Sequence, residues 1–171
     1  MIIRKINDND IDAISKIYTD NWKSTYKNIL PDDFLKNMTY EHSRKKWLSY
    51  IHINKQGAFI AIDENNNIVG FSAYKPYDEL EKCLLLDSLH IRKSAQGSGI
   101  GKKLIFAVGE HAYNNGYEKM SICIVKGNDR AKGVYTHLGA KHYKDFIDDF
   151  ECTPSNSSVL LWDNLNIFDL K

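Results

Sequence analysis

Residues 96–104, which read Gln96, Gly97, Ser98, Gly99, Ile100, Gly101, Lys102, Lys103 and Leu104, set three glycines at alternate positions directly before an amphipathic run. Glycine puts no Cβ in the way of a ligand and lets the chain turn tightly. The run over residues 99–114 carries Leu104, Ala107, Val108, His111 and Ala112 near the i, i+3, i+4, i+7 spacing of a packed helical face. A helix that starts there aims unpaired N–H groups and the positive end of its dipole into the glycine turn. The chemistry expected is anion binding, with a phosphate or pyrophosphate as the occupant. A P-loop needs G-x-x-x-x-G-K-[ST], but Gln96 holds its first position and Lys103 its last. A dinucleotide fingerprint needs G-x-G-x-x-G after the first strand, whereas this stretch reads G-x-G-x-G past the middle of the chain. A Gly-rich turn that binds nothing stays open at this point.

The elements that must position this turn can be read outward from it. Residues 83–91 run Cys, Leu, Leu, Leu, Asp, Ser, Leu, His, Ile, a nearly continuous apolar strand at first, as expected of a central strand covered on both faces. Residues 120–125 make a second buried strand after the helix, so the strand, helix, strand order predicts parallel neighbours. Upstream, residues 57–62 and 68–74 flank a polar turn and predict an antiparallel hairpin. Residues 1–6 predict an opening strand. Ile11, Ile14, Ile17 and Tyr18 mark the buried face of a first helix, and Pro31, Asp32 and Asp33 start a further helix that runs on to Tyr50. Trp22, Tyr26, Ile29 and Leu30 surround a break before Pro31 and could floor a substrate pocket or simply fill the core. Residues 128–138 form a short helix closed by Gly139. Residues 142–146 and 158–165 read as two last strands separated by a polar, Pro-containing loop over 148–157.

Composition narrows the class. The 171 residues suit one domain with a real core, and no repeat or low-complexity tract divides them. Lys plus Arg number 23 against 22 Asp plus Glu, so no broad basic field marks a nucleic-acid or anionic-membrane partner. Cys83, Cys123 and Cys152 form no C-x-x-C pair and cannot all be bridged, which suggests a reducing compartment and no metal site. No apolar run nears the ~20 residues of a bilayer span, and no signal-peptide core follows Met1. The expected location is cytoplasmic.

A second stretch changes the reading. Asn128, Ala131, Tyr135, Gly139 and Ala140 stand in the pattern N-x-x-A-x-x-x-Y-x-x-x-G-A, and Gln96, Gly99 and Gly101 in Q-x-x-G-x-G. The two patterns together, in this order and separated by a helix and a strand, resemble the GNAT superfamily of N-acetyltransferases. The resemblance implies a single α/β domain over residues 1–171, with a mixed central sheet of about six or seven strands flanked by about four helices. It implies acetyl-CoA as the cofactor and a small-molecule or peptide amine as the acceptor, acetylated by direct transfer in a ternary complex. A non-catalytic acyl-CoA-binding module of the same fold is the alternative.

Roles follow from the resemblance by position. Main-chain groups of Leu89, His90 and Ile91 would pair with the pantetheine arm as an added strand. Gln96, Gly97, Ser98, Gly99, Ile100, Gly101 and Lys102 would hold the pyrophosphate through backbone N–H groups. Asn128 would bind near the pantetheine amides, and Tyr135 would protonate the departing sulfur. A tyrosine near pKa ~10 facing a thiol near ~8.5 still holds its proton at neutral pH. For the general base the candidates are Asp87 and His90. Their separation by three along one strand puts them on opposite faces, so that they cannot both line one pocket. Leu160, Leu161 and Trp162 are candidates both for a homodimer surface and for the core.

Overall fold

The structure, a computed structural model, describes residues 1–150 and 153–168. Among these residues seven strands form one sheet: β1 (Ile2–Lys5), β2 (Gly57–Ile62), β3 (Ile68–Pro76), β4 (Cys83–Ile91), β5 (Lys119–Val125), β6 (Lys141–Phe150) and β7 (Thr153–Trp162). Their spatial order is β1-β2-β3-β4-β5-β7-β6. Every neighbouring pair is antiparallel except β4 and β5, which run parallel as the intervening helix requires. Five helices pack on this sheet: α1 (Ile11–Thr25), α2 (Asp32–Asn37), α3 (Tyr40–Ile51), α4 (Ile100–Asn114) and α5 (Asp129–His137). The mixed α/β sheet expected from the sequence is present, with seven strands and one helix more than expected.

Alternation along the strands divides the core between two faces. Ile60 and Phe71 point to α1 and α3, where Ile14, Tyr18 and Trp47 close the first cluster. Ala61 and Val69 point the other way, to Ile100 and Leu104 of α4. A third cluster joins Leu84, Leu86, Ile105, Val108, Met120, Tyr135, Trp162 and Phe168, tying α4 and α5 to the middle of the sheet. Leu160 and Trp162 are fully enclosed there, so they are core and offer no dimer surface, while Leu161 is half-buried.

The chain enters α1 through a reciprocal cap. The Asn7 side chain accepts from the Asn9 N–H, and the Asp10 carboxylate accepts from the Asn7 N–H at 2.8 Å. Arg4 on β1 holds the same carboxylate through two bonds of 2.8 and 2.9 Å.

Two sequence expectations need correction. The helix expected from Pro31 to Tyr50 is broken at Met38 and Thr39, because the Thr39 side chain accepts from the His42 N–H and caps a new helix. The loop expected over residues 148–157 is instead the paired ends of β6 and β7, with Asp149 opposite Pro154. The proline is tolerated because β7 meets β5 only from Ser157 onward, which leaves one side of Pro154 outside the ladder. Cys83 is buried and Cys123 half-buried, both as free thiols, and Cys152 lies outside the described residues. Among the described residues no helix is long and apolar enough to cross a membrane.

Candidate functional site

The site begins with one extra residue. Ala73 pairs with Ser88 and the next residue, Tyr74, pairs with Leu86, so Asp87 is an insertion in β4, a β-bulge. Packing confirms the change of phase. Before the bulge Leu84 and Leu86 pack with Ile105 and Val108 of α4, and after it Leu89 and Ile91 pack with Ile100 and Leu104 of the same helix. The bulge also ends the parallel ladder. β4 pairs with β5 from Cys83 to Leu86 and no further, while the remainder of β5 pairs with β7 up to Val125. Past Leu86 the two strands part, and a cleft of about 1030 Å³ opens between them.

The main chain of β4 presents its free side to this gap. Arg92 donates its N–H to the Val69 carbonyl at 2.7 Å, which makes that pair hydrogen-bonded and fixes the alternation along the antiparallel ladder. His90 therefore turns its peptide groups to β3, and Leu89 and Ile91 turn theirs to the gap. The Ile91 carbonyl already accepts from Asn21 Nδ2 at 2.9 Å and from Gln96 Nε2 at 3.2 Å.

At one end of the cleft lies the glycine turn. Gly97 and Gly99 have φ of +83° and +78°, a region that side chains with a Cβ rarely enter, and Gly99 is the N-cap of α4. A Cβ at either glycine would meet nothing within 4 Å, so backbone conformation, not crowding, requires glycine there. Ser98 Oγ donates to the Ala95 carbonyl at 2.7 Å and stiffens the turn. The first N–H groups of α4, around Ile100, Gly101 and Lys102, open toward the cleft without helical partners. Gln96 Oε1 accepts from Arg130 Nη1 at 2.9 Å, which joins the turn to the start of α5 across the gap. Arg130, Lys93 and Lys102 make this end cationic. Arg130 was not singled out from sequence, although it stands inside the second motif between Asn128 and Ala131.

The middle of the cleft is aromatic. Tyr135 is 5% exposed, packed edge-on against Trp162 at 6.1 Å, and burial, followed by the nearby Tyr26 hydroxyl, raises its hydroxyl well above the ordinary tyrosine value. Tyr26, at the end of α1, pairs with the Asn128 side chain and meets the Trp22 ring at a tilt, 4.4 Å between centroids. Asn128 Oδ1 accepts from the Ala131 N–H at 3.3 Å, which makes Asn128 the N-cap of α5. Of the aromatic floor expected from sequence, Trp22, Tyr26 and Ile29 line the cleft, and Leu30 is core.

At the far end stand the two candidate bases. The expectation that Asp87 and His90 face opposite sides of β4 is wrong, because the bulge cancels the alternation and both line the cleft. Asp87 is held by Lys75 of β3 at 2.9 Å. His90 is clasped between Phe71, stacked at 5.4 Å, and Tyr18, edge-on at 5.0 Å. Burial, with a smaller contribution from Lys46, lowers His90 to about 3, so the imidazole is neutral at physiological pH and a poor proton acceptor. The turn, Leu89, Tyr135 and Asp87 thus line one continuous cavity. Its length, its cationic entrance and its exposed strand edge suit an elongated ligand with anionic and amide groups.

The sequence profile of the Acetyltransferase (GNAT) family matches residues 12–140. An uncharacterized N-acetyltransferase of Bacillus subtilis (strain 168), YuaI, is 27% identical over 128 residues, which cover 74% of this chain and 72% of that protein. Among solved structures, a ribosomal-protein-alanine N-acetyltransferase from Brucella melitensis superposes with a TM-score of 0.74 at 18% identity, over 95% of this chain and 99% of the other. The PaiA N-acetyltransferase from Thermoplasma acidophilum, in complex with coenzyme A, gives 0.74 at 18% identity, over 92% of this chain and 96% of the other.

Proposed function

The chain belongs to the acetyltransferase (GNAT) family, and on that premise we propose that it transfers an acetyl group from acetyl-CoA directly to a primary amine, on a small molecule or a peptide, with both substrates in the cleft at once. The observation that carries this reading is the parting of β4 from β5 after Leu86, because it lays a phosphate cradle, a free strand edge and a buried tyrosine along one cavity. Acetyl-CoA supplies an activated acyl group with a thiol as its leaving group.

The residues divide the work by position. Gln96, Gly97, Ser98, Gly99, Ile100, Gly101 and Lys102 hold the pyrophosphate with main-chain N–H groups, aided by the charges of Lys93, Lys102 and Arg130. The Leu89 peptide groups and the Ile91 N–H face the pantetheine arm, the Ile91 carbonyl being held by Asn21 and Gln96, and His90 shapes the strand without presenting its own. Asn128 fixes the start of α5 through Oδ1 and meets the Tyr26 hydroxyl through its amide, so the second Nδ2 N–H is the part left for an amide of the donor. Tyr135 keeps its proton through the neutral range and gives it to the sulfur. Three carboxylates, Glu79, Asp87 and Asp148, face the far end, where the acceptor loses a proton.

The test is thiol release from acetyl-CoA with a panel of small and peptide amines, run beside calorimetric titration of coenzyme A. Tight binding with amine-dependent release supports the proposal. Binding without release for any amine would leave the non-catalytic module as the reading.

A further inference from the structure

We propose that Asp148, on β6, accepts the proton from the incoming amine. The proposal rests on the acetyltransferase reading, since it assigns a role at the acceptor end of the same cleft. Beyond Tyr135 that end is walled by Lys75, Glu79, Asp87, Lys144 and Asp148. Its three carboxylates are not equivalent. Asp87 is engaged by Lys75 at 2.9 Å, and Glu79 is engaged by Lys144. Asp148 makes no ion pair among the described residues.

Strand geometry aims it inward. Along β6 Lys144, Phe146 and Asp148 are half-buried on the cleft side, and Asp145, Ile147 and Asp149 are exposed. The groups that act on Asp148 come from three elements. Burial raises its carboxyl above the ordinary range, the Asp149 N–H opposes this, the charges of Asp149 and of Asp87 on β4 push further up, and Lys75 on β3 pulls down. The balance makes Asp148 a better base than an exposed aspartate. Cys123 on β5 is no rival as an acyl carrier, because burial and then Asp148 and Asp87 raise its thiol to about 11.

An aliphatic amine, with a pKa near ~10 like that of lysine, arrives as an ammonium and must lose one proton before its lone pair is free. Asp148 takes that proton. The nitrogen lone pair forms the C–N bond to the acetyl carbon, the C–S bond breaks, and the sulfur takes a proton from Tyr135. The second N–H proton, shed by the cationic nitrogen, restores Tyr135. Asp148 returns its proton to water, so the products are the amide, the thiol and one released proton.

The experiment compares wild type, Asp148→Asn, Asp148→Glu and Asp87→Asn with the amine that wild type uses best, recording kcat against pH and acetyl-CoA affinity by calorimetry. Asp148→Asn is expected to lower kcat by about 10²-fold, to abolish the acid limb of the profile and to leave acetyl-CoA affinity within about twofold, with Asp148→Glu restoring part of the rate. An Asp148→Asn enzyme within about threefold of wild type with its acid limb intact overturns the proposal alone. So does loss of the acid limb in Asp87→Asn instead, or a loss of acetyl-CoA binding in Asp148→Asn, which would mark a structural part. Wild type that releases no thiol with any amine overturns the acetyltransferase reading, and this proposal with it.

Discussion

Burial drives both Tyr135 and His90 toward their neutral forms, and for chemistry the two results point in opposite directions. A neutral tyrosine retains the proton that a leaving thiolate needs, while a neutral histidine with a pKa of about 3 has almost no appetite for the proton of an ammonium. Tyr135→Phe removes that proton and little else, because the ring contact with Trp162 remains. Its kcat is expected to fall by about 10²-fold with acetyl-CoA affinity unchanged, as read by steady-state thiol release and calorimetry. The wild-type rate should show no alkaline limb from this group up to about pH 10, the ordinary tyrosine value, since its proton is lost only above that. Tyr135 was legible in the sequence because a spaced motif frames it. Asp148 was not, since an aspartate among Asp145, Asp149 and a nearby proline reads as loop chemistry until strand pairing turns it inward.

Among the elements, the turn before α4 separates two uses of glycine that look alike in sequence. At Gly99 a φ of +78° is the requirement, so Gly99→Ala should cost about 1–2 kcal/mol of stability and also distort the cradle. Gly101 lies within the helix, and an added Cβ would make only ordinary contact, at 3.9 Å from Leu89 Cδ2, while standing in the cleft. Gly101→Ala is therefore expected to keep or slightly raise the melting temperature and yet weaken acetyl-CoA binding, whereas Gly99→Ala lowers both; thermal melts and titration calorimetry distinguish them. Strand and helix existence could be read from apolar runs, and so could the parallel β4 and β5. The bulge could not. One extra residue leaves no trace in composition or periodicity, and Asp87 inside an apolar strand reads as a regular position, so the facing of His90 was inferred wrongly from alternation that Asp87 interrupts.

For the molecule as a whole, the third cluster decides how α4 is held. Gly109 on α4 lies so close to Phe168 that a Cβ would fall 2.3 Å from its ring. In an exposed helix Gly→Ala gains about 1 kcal/mol, but here overpacking of about 1–3 kcal/mol opposes it, so Gly109→Ala should lower the melting temperature. Adding Phe168→Leu should recover part of the loss, which would locate the strain at that contact. The same cluster carries Tyr135 and Trp162, so strain placed there reaches the floor of the cleft.

The gap between β4 and β5 also has a cost at high protein concentration. Two strands that stop pairing expose unsatisfied peptide edges, the feature through which β proteins stick to one another. A donor molecule lying along Leu89 and Ile91, as proposed above, would cap one of these edges each time it bound. The ligand that feeds the reaction would then also guard the protein against edge-to-edge association while bound, leaving the empty protein most at risk when the acetyl donor is scarce.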